Sequence, residues 1–176
     1  SSIGMESVRP RWRIKSSETT GDLTQRPTLE VVYSLPLTPY QTWAQAHGLA
    51  PDNQDPSANP DHDLENNLGE FAFNLDPLTA DSAPLGDGDL KGIPSVRRVP
   101  HNGSDLLELQ FLRRLGPTAV GLNYSVSFSS DLVNWIAGEP PSLEILSADW
   151  ERVRVMDSLP LSDHARFARV VVTMQP

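Results

Sequence analysis

The sequence predicts a mainly β fold, with antiparallel β-sandwich-like modules joined by a short helix–loop–helix unit. Three observations predict it. Runs that alternate apolar and polar residues recur at both ends of the chain, the signature of half-buried strands. Two short stretches between them switch to the spacing of a helix that buries one stripe. Sixteen prolines punctuate the whole, which suits short strands and rigid loops better than a helical bundle.

Composition narrows the function classes. The 176 residues are enough for one ordinary domain or two small ones. A formal net charge of −9 argues against a nucleic-acid or anionic-membrane partner, since both require a basic face. No cysteine is present, which removes disulfides, thiolate metal sites and cysteine nucleophiles. No apolar run approaches the length of a membrane span, so membrane insertion is not expected. The first residues, Ser1-Ser2-Ile3-Gly4, lack the basic and apolar regions of a signal peptide.

Residues 1–34 read as the C-terminal strands of a β-sandwich module. Trp12 and Ile14 alternate with Arg11, Arg13 and Lys15, and Leu29, Val31 and Tyr33 share a face farther on. Two strands alone are marginal and need a partner sheet. The wording around Arg13-Ile14-Lys15-Ser16-Ser17-Glu18 and Gln25-Arg26-Pro27-Thr28-Leu29-Glu30-Val31-Val32-Tyr33 resembles the end of DNRLRE-type β-sandwich modules. That resemblance implies a secreted bacterial protein linked to polysaccharides, and a larger parent chain with other modules.

Residues 35–80 form the unit around which the rest is arranged. Thr38-Pro39-Tyr40-Gln41 is a helix start, with Thr as cap, Pro in the first position and Gln three residues after the cap. Tyr40, Trp43, Ala44 and His47 then make one stripe, with His47 expected as a packed core residue, and Gly48 stops the helix. After a connector rich in Pro, Asp and Asn comes a loop with oxygen-bearing side chains at positions 1, 3, 5, 9 and 12, as in an EF-hand. Calcium is a hard cation that takes six to eight oxygens, and a tight turn offers them from alternating residues plus a carboxylate on the next helix. Asn59, Asp61 and Asp63 supply the alternating set, Glu65 its backbone carbonyl, Asn67 a ligand direct or through water, and Glu70 the closing bidentate carboxylate. The usual Gly at position 6 is replaced by Leu64, which predicts a left-handed residue there and a cost of about 1–2 kcal/mol. Leu68, Phe71, Ala72 and Leu75 make a second stripe that ends at Asp76-Pro77. The run from Tyr40-Gln41-Thr42-Trp43-Ala44 through Asn59-Pro60-Asp61-His62-Asp63 to Asn67-Leu68-Gly69-Glu70-Phe71-Ala72 resembles the thrombospondin type-3-like and dockerin-like calcium loops of large secreted bacterial proteins.

Residues 81–94, rich in Pro and Gly, read as a linker. Residues 95–176 read as an antiparallel β-module of about six strands. In it Leu107, Leu109 and Phe111 alternate with Glu108 and Gln110, and Tyr124, Val126 and Phe128 alternate with Ser125, Ser127 and Ser129. The order Tyr124-Ser125-Val126-Ser127-Phe128-Ser129-Ser130-Asp131-Leu132-Val133-Asn134-Trp135, then Ala165-Arg166-Phe167-Ala168-Arg169-Val170, resembles the C-terminal module that usually follows such a calcium linker.

Catalytic signatures are sparse. The sequence holds no GxSxG elbow, HExxH helix or Gly-rich phosphate loop. His101-Asn102-Gly103-Ser104-Asp105 contains triad residue types but reads as a surface turn, because close neighbours in sequence rarely reach triad geometry. The expected function is therefore a non-catalytic accessory or binding region of a secreted or cell-surface protein, stabilised by calcium, with polysaccharide as the partner. Trp12, Trp135 and Trp150 are the candidate stacking residues for sugar rings. The competing readings are a small secreted hydrolase using a carboxylate pair on polysaccharide, and a structural or adhesive spacer.

Overall fold

The computed structural model describes residues 32–161 and 165–175. The N-terminal strand pair and Trp12 lie outside them, as does His164, while Val32, Tyr33 and Ser34 are described and belong to no strand. Helix α1 (Pro39–Ala46) starts at a complete capping box. Thr38 Oγ1 accepts from the Gln41 N–H at 3.1 Å, and Gln41 Oε1 accepts from the Thr38 N–H at 2.9 Å. Gly48, with φ 72, lets the chain leave the helix. Helix α2 (Asn67–Phe73) is capped by Asn66, whose Oδ1 accepts from the Gly69 N–H at 3.0 Å. It ends before the expected stop at Asp76-Pro77, because Asn74 adopts a left-handed conformation with φ 61.

Among the described residues seven strands follow: β1 (Ser95–His101), β2 (Ser104–Arg114), β3 (Leu122–Ser129), β4 (Ile136–Ala137), β5 (Ser142–Ile145), β6 (Trp150–Met156) and β7 (Phe167–Met174). They build a four-stranded sheet in the order β1-β2-β6-β5 and a three-stranded sheet in the order β4-β3-β7. Among the described residues these strands pair antiparallel throughout, so the mainly β, sandwich-like class holds. The β1–β2 hairpin turns on Asn102 and Gly103, both with positive φ, which is the backbone a tight two-residue hairpin needs.

The inward faces are those the alternation indicates. Leu107, Leu109 and Phe111 of β2 and Val153 and Val155 of β6 share a core with Tyr124, Val126 and Phe128 of β3. Phe111 stacks on Tyr124 with ring centroids 5.8 Å apart. One serine departs from the pattern: Ser129 is buried, because its hydroxyl accepts from the Asp131 and Leu132 N–H groups in the following turn. The helices do not form a core of their own. Tyr40, Trp43, Phe71 and Phe73 belong to the same cluster as the strands, and Thr38–Pro176 forms one compact unit. The divisions at 35–80, 81–94 and 95–176 therefore do not separate cores.

Residues 83–93 correct the linker reading most clearly. They lie against the outer face of the four-stranded sheet. Leu85 packs with Leu112 and Trp150 in a second buried cluster. The Leu85 carbonyl accepts from Gln110 Nε2 at 3.0 Å and Ser95 Oγ at 2.8 Å, and the Gly86 carbonyl accepts from Arg152 Nη2 at 3.0 Å. As a result β2 is buried on both faces. Glu108, expected to face solvent, is buried and bonded through Oε1 to Arg97 Nε at 2.7 Å. Close approach accounts for Gly92. At Gly92, φ 144, an added Cβ would lie 2.8 Å from the Leu85 Cα and 2.9 Å from its nitrogen.

Gly92→Ala should accordingly push this segment off the sheet. The expected loss is about 1–3 kcal/mol, the usual cost of overpacking, read as a lower denaturation midpoint and a red-shifted Trp150 fluorescence. A flexible linker would tolerate the change, so an unaltered midpoint would restore the linker reading.

Candidate metal centre

The site is assembled from the loop at 59–66 and the first turn of α2. Each of its five side chains is held by one polar atom or by burial, and each leaves an oxygen without a protein partner. Asp61 Oδ1 accepts from the Asp63 N–H at 3.3 Å, and Asp63 Oδ1 accepts from the Glu65 N–H at 2.7 Å. Their Oδ2 atoms are buried and unpartnered. Asn59 donates Nδ2 to the Asp63 carbonyl at 3.0 Å, which turns its Oδ1 the other way, buried and unpartnered. Asn67 donates Nδ2 to the Asn53 carbonyl at 2.7 Å and the Asp55 carbonyl at 2.9 Å, again leaving Oδ1 unpartnered. Glu70 is 0% exposed, and neither carboxylate oxygen has a partner.

Oxygens of Asp61, Asp63 and Glu70 lie within 4.8 Å of one another. Oxygens sharing a calcium ion at 2.3–2.6 Å can stand no farther apart than about 5 Å, so the spread fits a common centre. Among the described residues, none of the three carboxylates is paired with an Arg or Lys. Buried polar groups without partners each cost about 1–3 kcal/mol, and more when charged. A hard cation is the group that would satisfy all of them at once.

The electrostatics follow from that crowding. Burial above all, then the nearby Asp61 and Asp63, with smaller contributions from Asp81 and Asp76, together push the Glu70 carboxyl up from 4.5 to about 8. Glu65 is also raised, first by burial and then by Asp63. Its side chain lies beside Gly69, where a Cβ would collide with Oε2. That leaves its backbone carbonyl as the contribution expected at position 7.

Two sequence expectations in the helix–loop–helix unit need correction. Leu64 does not take the left-handed conformation. Its side chain is 77% exposed, and the residue with positive φ in the loop is His62, at φ 62. The turn reverses one pair of residues earlier, between the two aspartates, so the strain charged to Leu64 does not arise. His also enters the left-handed region more readily than a bulky aliphatic residue. His47 is not fully packed either. It caps α1 with its ring 4.9 Å from that of Trp43 and its Nδ1 3.9 Å from Asp76 Oδ1.

The second helix is fastened on its other side by residues that the sequence did not single out as functional. Arg114 of β2 donates Nε to the Phe71 carbonyl at 3.0 Å, and its guanidinium lies 4.3 Å from the Phe71 ring and 4.5 Å from the Trp150 ring. Tyr124 of β3 donates its hydroxyl to the Ala72 carbonyl at 3.0 Å. Carbonyls near a helix C-terminus lack intrahelical partners, so a buried α2 requires such donors. Only that general requirement, not any motif, pointed to them.

Among the candidate stacking residues, Trp150 is 7% exposed and packed with Leu85 and Leu112, which removes it as a sugar platform. Trp135 is half-buried, with Arg169 3.9 Å from its ring centroid and exposed Leu132, Val133 and Ile136 beside it. Trp12 lies outside the described residues. Asp52 and Asp55 are exposed, and Asp55 Oδ1 is engaged by Ser57. His101 and Ser104 face each other across the hairpin turn, and the His101 ring contacts Asn102 at 3.0 Å. Among the described residues no helix is long and apolar enough to cross a membrane. Comparison with protein families, curated proteins and solved structures finds no match to this chain.

The raised Glu70 carboxyl makes a signed prediction for the chain in chelator. A carboxyl higher in the folded state contributes stability that is fully present below its unfolded value, near 4.5, and is lost as pH rises to about 8. Melting temperatures should fall with pH through that window, and Glu70→Gln should flatten the fall. Parallel curves for the two proteins would show that Glu70 is not held protonated.

Proposed function

We propose that this chain is a calcium-stabilised, non-catalytic accessory module of a secreted or cell-surface protein. The observation that carries the reading is the set of six buried, unpartnered oxygens, from Asn59, Asp61, Asp63, Asn67 and Glu70, on one loop and one helical turn. Three carboxylates with two carbonyl-type amides match the oxygen-only, mixed-charge preference of calcium. Softer metals favour imidazole and thiolate, and the set contains neither. Extracellular calcium modules bind at roughly 10⁻⁴–10⁻³ M, a range that fits surroundings where calcium is abundant. The resemblance of the loop to thrombospondin type-3-like and dockerin-like linkers supports a place within a larger secreted bacterial chain.

Polysaccharide remains the proposed partner class, with Trp135 as the platform. Its support is the partly open indole beside exposed Leu132, Val133 and Ile136. Asp131 keeps that turn in shape by accepting from the Val133 N–H at 2.9 Å and the Asn134 N–H at 2.7 Å. In affinity electrophoresis through gels containing plant or algal polysaccharide, the natural chain should be retarded and Trp135→Ala should run free. Equal migration of the two would remove Trp135 from the proposal.

Calcium itself is tested by melting. At a concentration a hundredfold above the dissociation constant, linkage gives about 2.7 kcal/mol, seen as a clear rise in melting temperature over chelator. Glu70→Gln should lose most of the rise. Asp87→Asn, on the segment that covers the outer sheet face, should keep it. Identical melts in chelator and in millimolar calcium would mean that the loop is an acidic turn and no more.

A further inference from the structure

We infer that Asn67 is a direct ligand, that the protein alone supplies the inner shell, and that the site therefore selects calcium over magnesium. This rests on the calcium reading above. In an EF-hand loop the ninth position often reaches the ion through a water. Three features of Asn67 argue against that arrangement here. Its side chain is 0% exposed, so its amide is withdrawn from bulk solvent. Its Nδ2 is held between the Asn53 and Asp55 carbonyls at 2.7 and 2.9 Å, and its backbone N–H donates to the Ala58 carbonyl at 2.8 Å. The amide therefore cannot swing, and Oδ1 points away from the connector. Asn67 and Glu70, three residues apart in α2, also share one side of the helix.

The count completes the argument. Five side chains contribute six unpartnered oxygens, two of them from Glu70. The Glu65 carbonyl, expected at position 7 of the loop, would make a seventh, which is the number a pentagonal bipyramid around calcium requires. A water at the ninth position would take that place itself and bond to Asn67 Oδ1, so the two arrangements differ in the number of waters on the ion and not in the total.

Selectivity follows from stiffness. Magnesium demands a near-octahedral shell at 2.0–2.1 Å and keeps several of its waters. This shell offers seven protein oxygens, with Asn59, Asp61, Asp63 and Asn67 each tied by a second polar atom to backbone. Contraction onto the smaller ion would strain those ties, and Asn67 and Glu70 are withdrawn from the solvent that supplies magnesium's waters.

Two measurements test this. Europium(III), an oxygen-seeking ion of similar size, reports its bound waters through luminescence lifetimes in light and heavy water. Asn67→Ala should raise that count by about one over the natural chain, because water replaces a lost direct ligand. An unchanged count would place a water there already and overturn the inference. Since Asn67→Ala also loses the bonds to the connector, the second measurement uses the unaltered chain. Calcium should raise its melting temperature, whereas equal magnesium should leave it at the chelator value. Equal rises with both ions would overturn the selectivity and leave calcium binding intact, whereas no rise with either would overturn both readings.

Discussion

Three carboxylates converge on one buried point, and most of the fold's arrangement depends on how that charge is accommodated. Glu70 is wholly buried on α2, and the residue after it, Phe71, is the aromatic centre of the helical part of the core. Phe71 meets Tyr40 edge-on at 5.5 Å and Trp43 at 5.4 Å, contacts of the kind worth about 0.5–1.5 kcal/mol each beyond burial. The backbone that positions the carboxylate thus also positions the core, and one cannot shift without the other. Left as it stands, the charge opposes burial, and the upward displacement of the Glu70 carboxyl is the measure of that opposition.

The connector between α1 and the loop is part of the same device. An EF-hand runs its entering helix straight into the loop, whereas here residues 50–58 intervene. They are bonded in at several points. Tyr40 donates its hydroxyl to the Gln54 carbonyl at 3.2 Å, Gln54 donates Nε2 to the Leu49 carbonyl at 2.8 Å, and the Leu68 N–H donates to the Pro56 carbonyl at 2.9 Å. Burial of the Tyr40 ring raises its hydroxyl to about 12, so it remains a donor at any ordinary pH. The extra residues therefore form a backing that aims Asn67 and do not loosen the loop.

Much of this was legible from residue types and spacing. The Thr38–Gln41 box, the alternating oxygens from Asn59 to Glu70 and the inward set of β2 and β3 follow from local rules that tertiary context did not override. What was illegible depended on contacts distant in sequence. Residues 83–93 lack any apolar period, so nothing local says that Leu85 covers Leu112 and Trp150. The alternation of β2 predicts one wet face, yet Gln110 and Glu108 are buried because their partners, the Leu85 carbonyl and Arg97, come from elsewhere. Ligand spacing fixes which side chains converge but not which loop residue reverses the backbone, and so His62 took the place expected of Leu64. Trp150 looks like Trp135 in sequence, and both carry an arginine over the ring, so only the covering segment with Leu85 distinguishes a core indole from a half-open one.

The fastening of α2 gives the site its reach. Its Phe71 and Ala72 carbonyls are satisfied by Arg114 on the four-stranded sheet and Tyr124 on the three-stranded sheet. Burial lowers the Arg114 guanidinium and raises the Tyr124 hydroxyl, as expected for donors withdrawn from water. A force that draws Glu70 toward the loop pulls on the next two residues, and through them on one strand of each sheet. Loss of that force would be felt first as fraying of α2, and then as two unsatisfied donors in the core, each costing about 1–3 kcal/mol. Neutralising Glu70 consequently bears on the cohesion of both sheets and not on the loop alone, because Glu70 and the two fastened carbonyls belong to the same short helix.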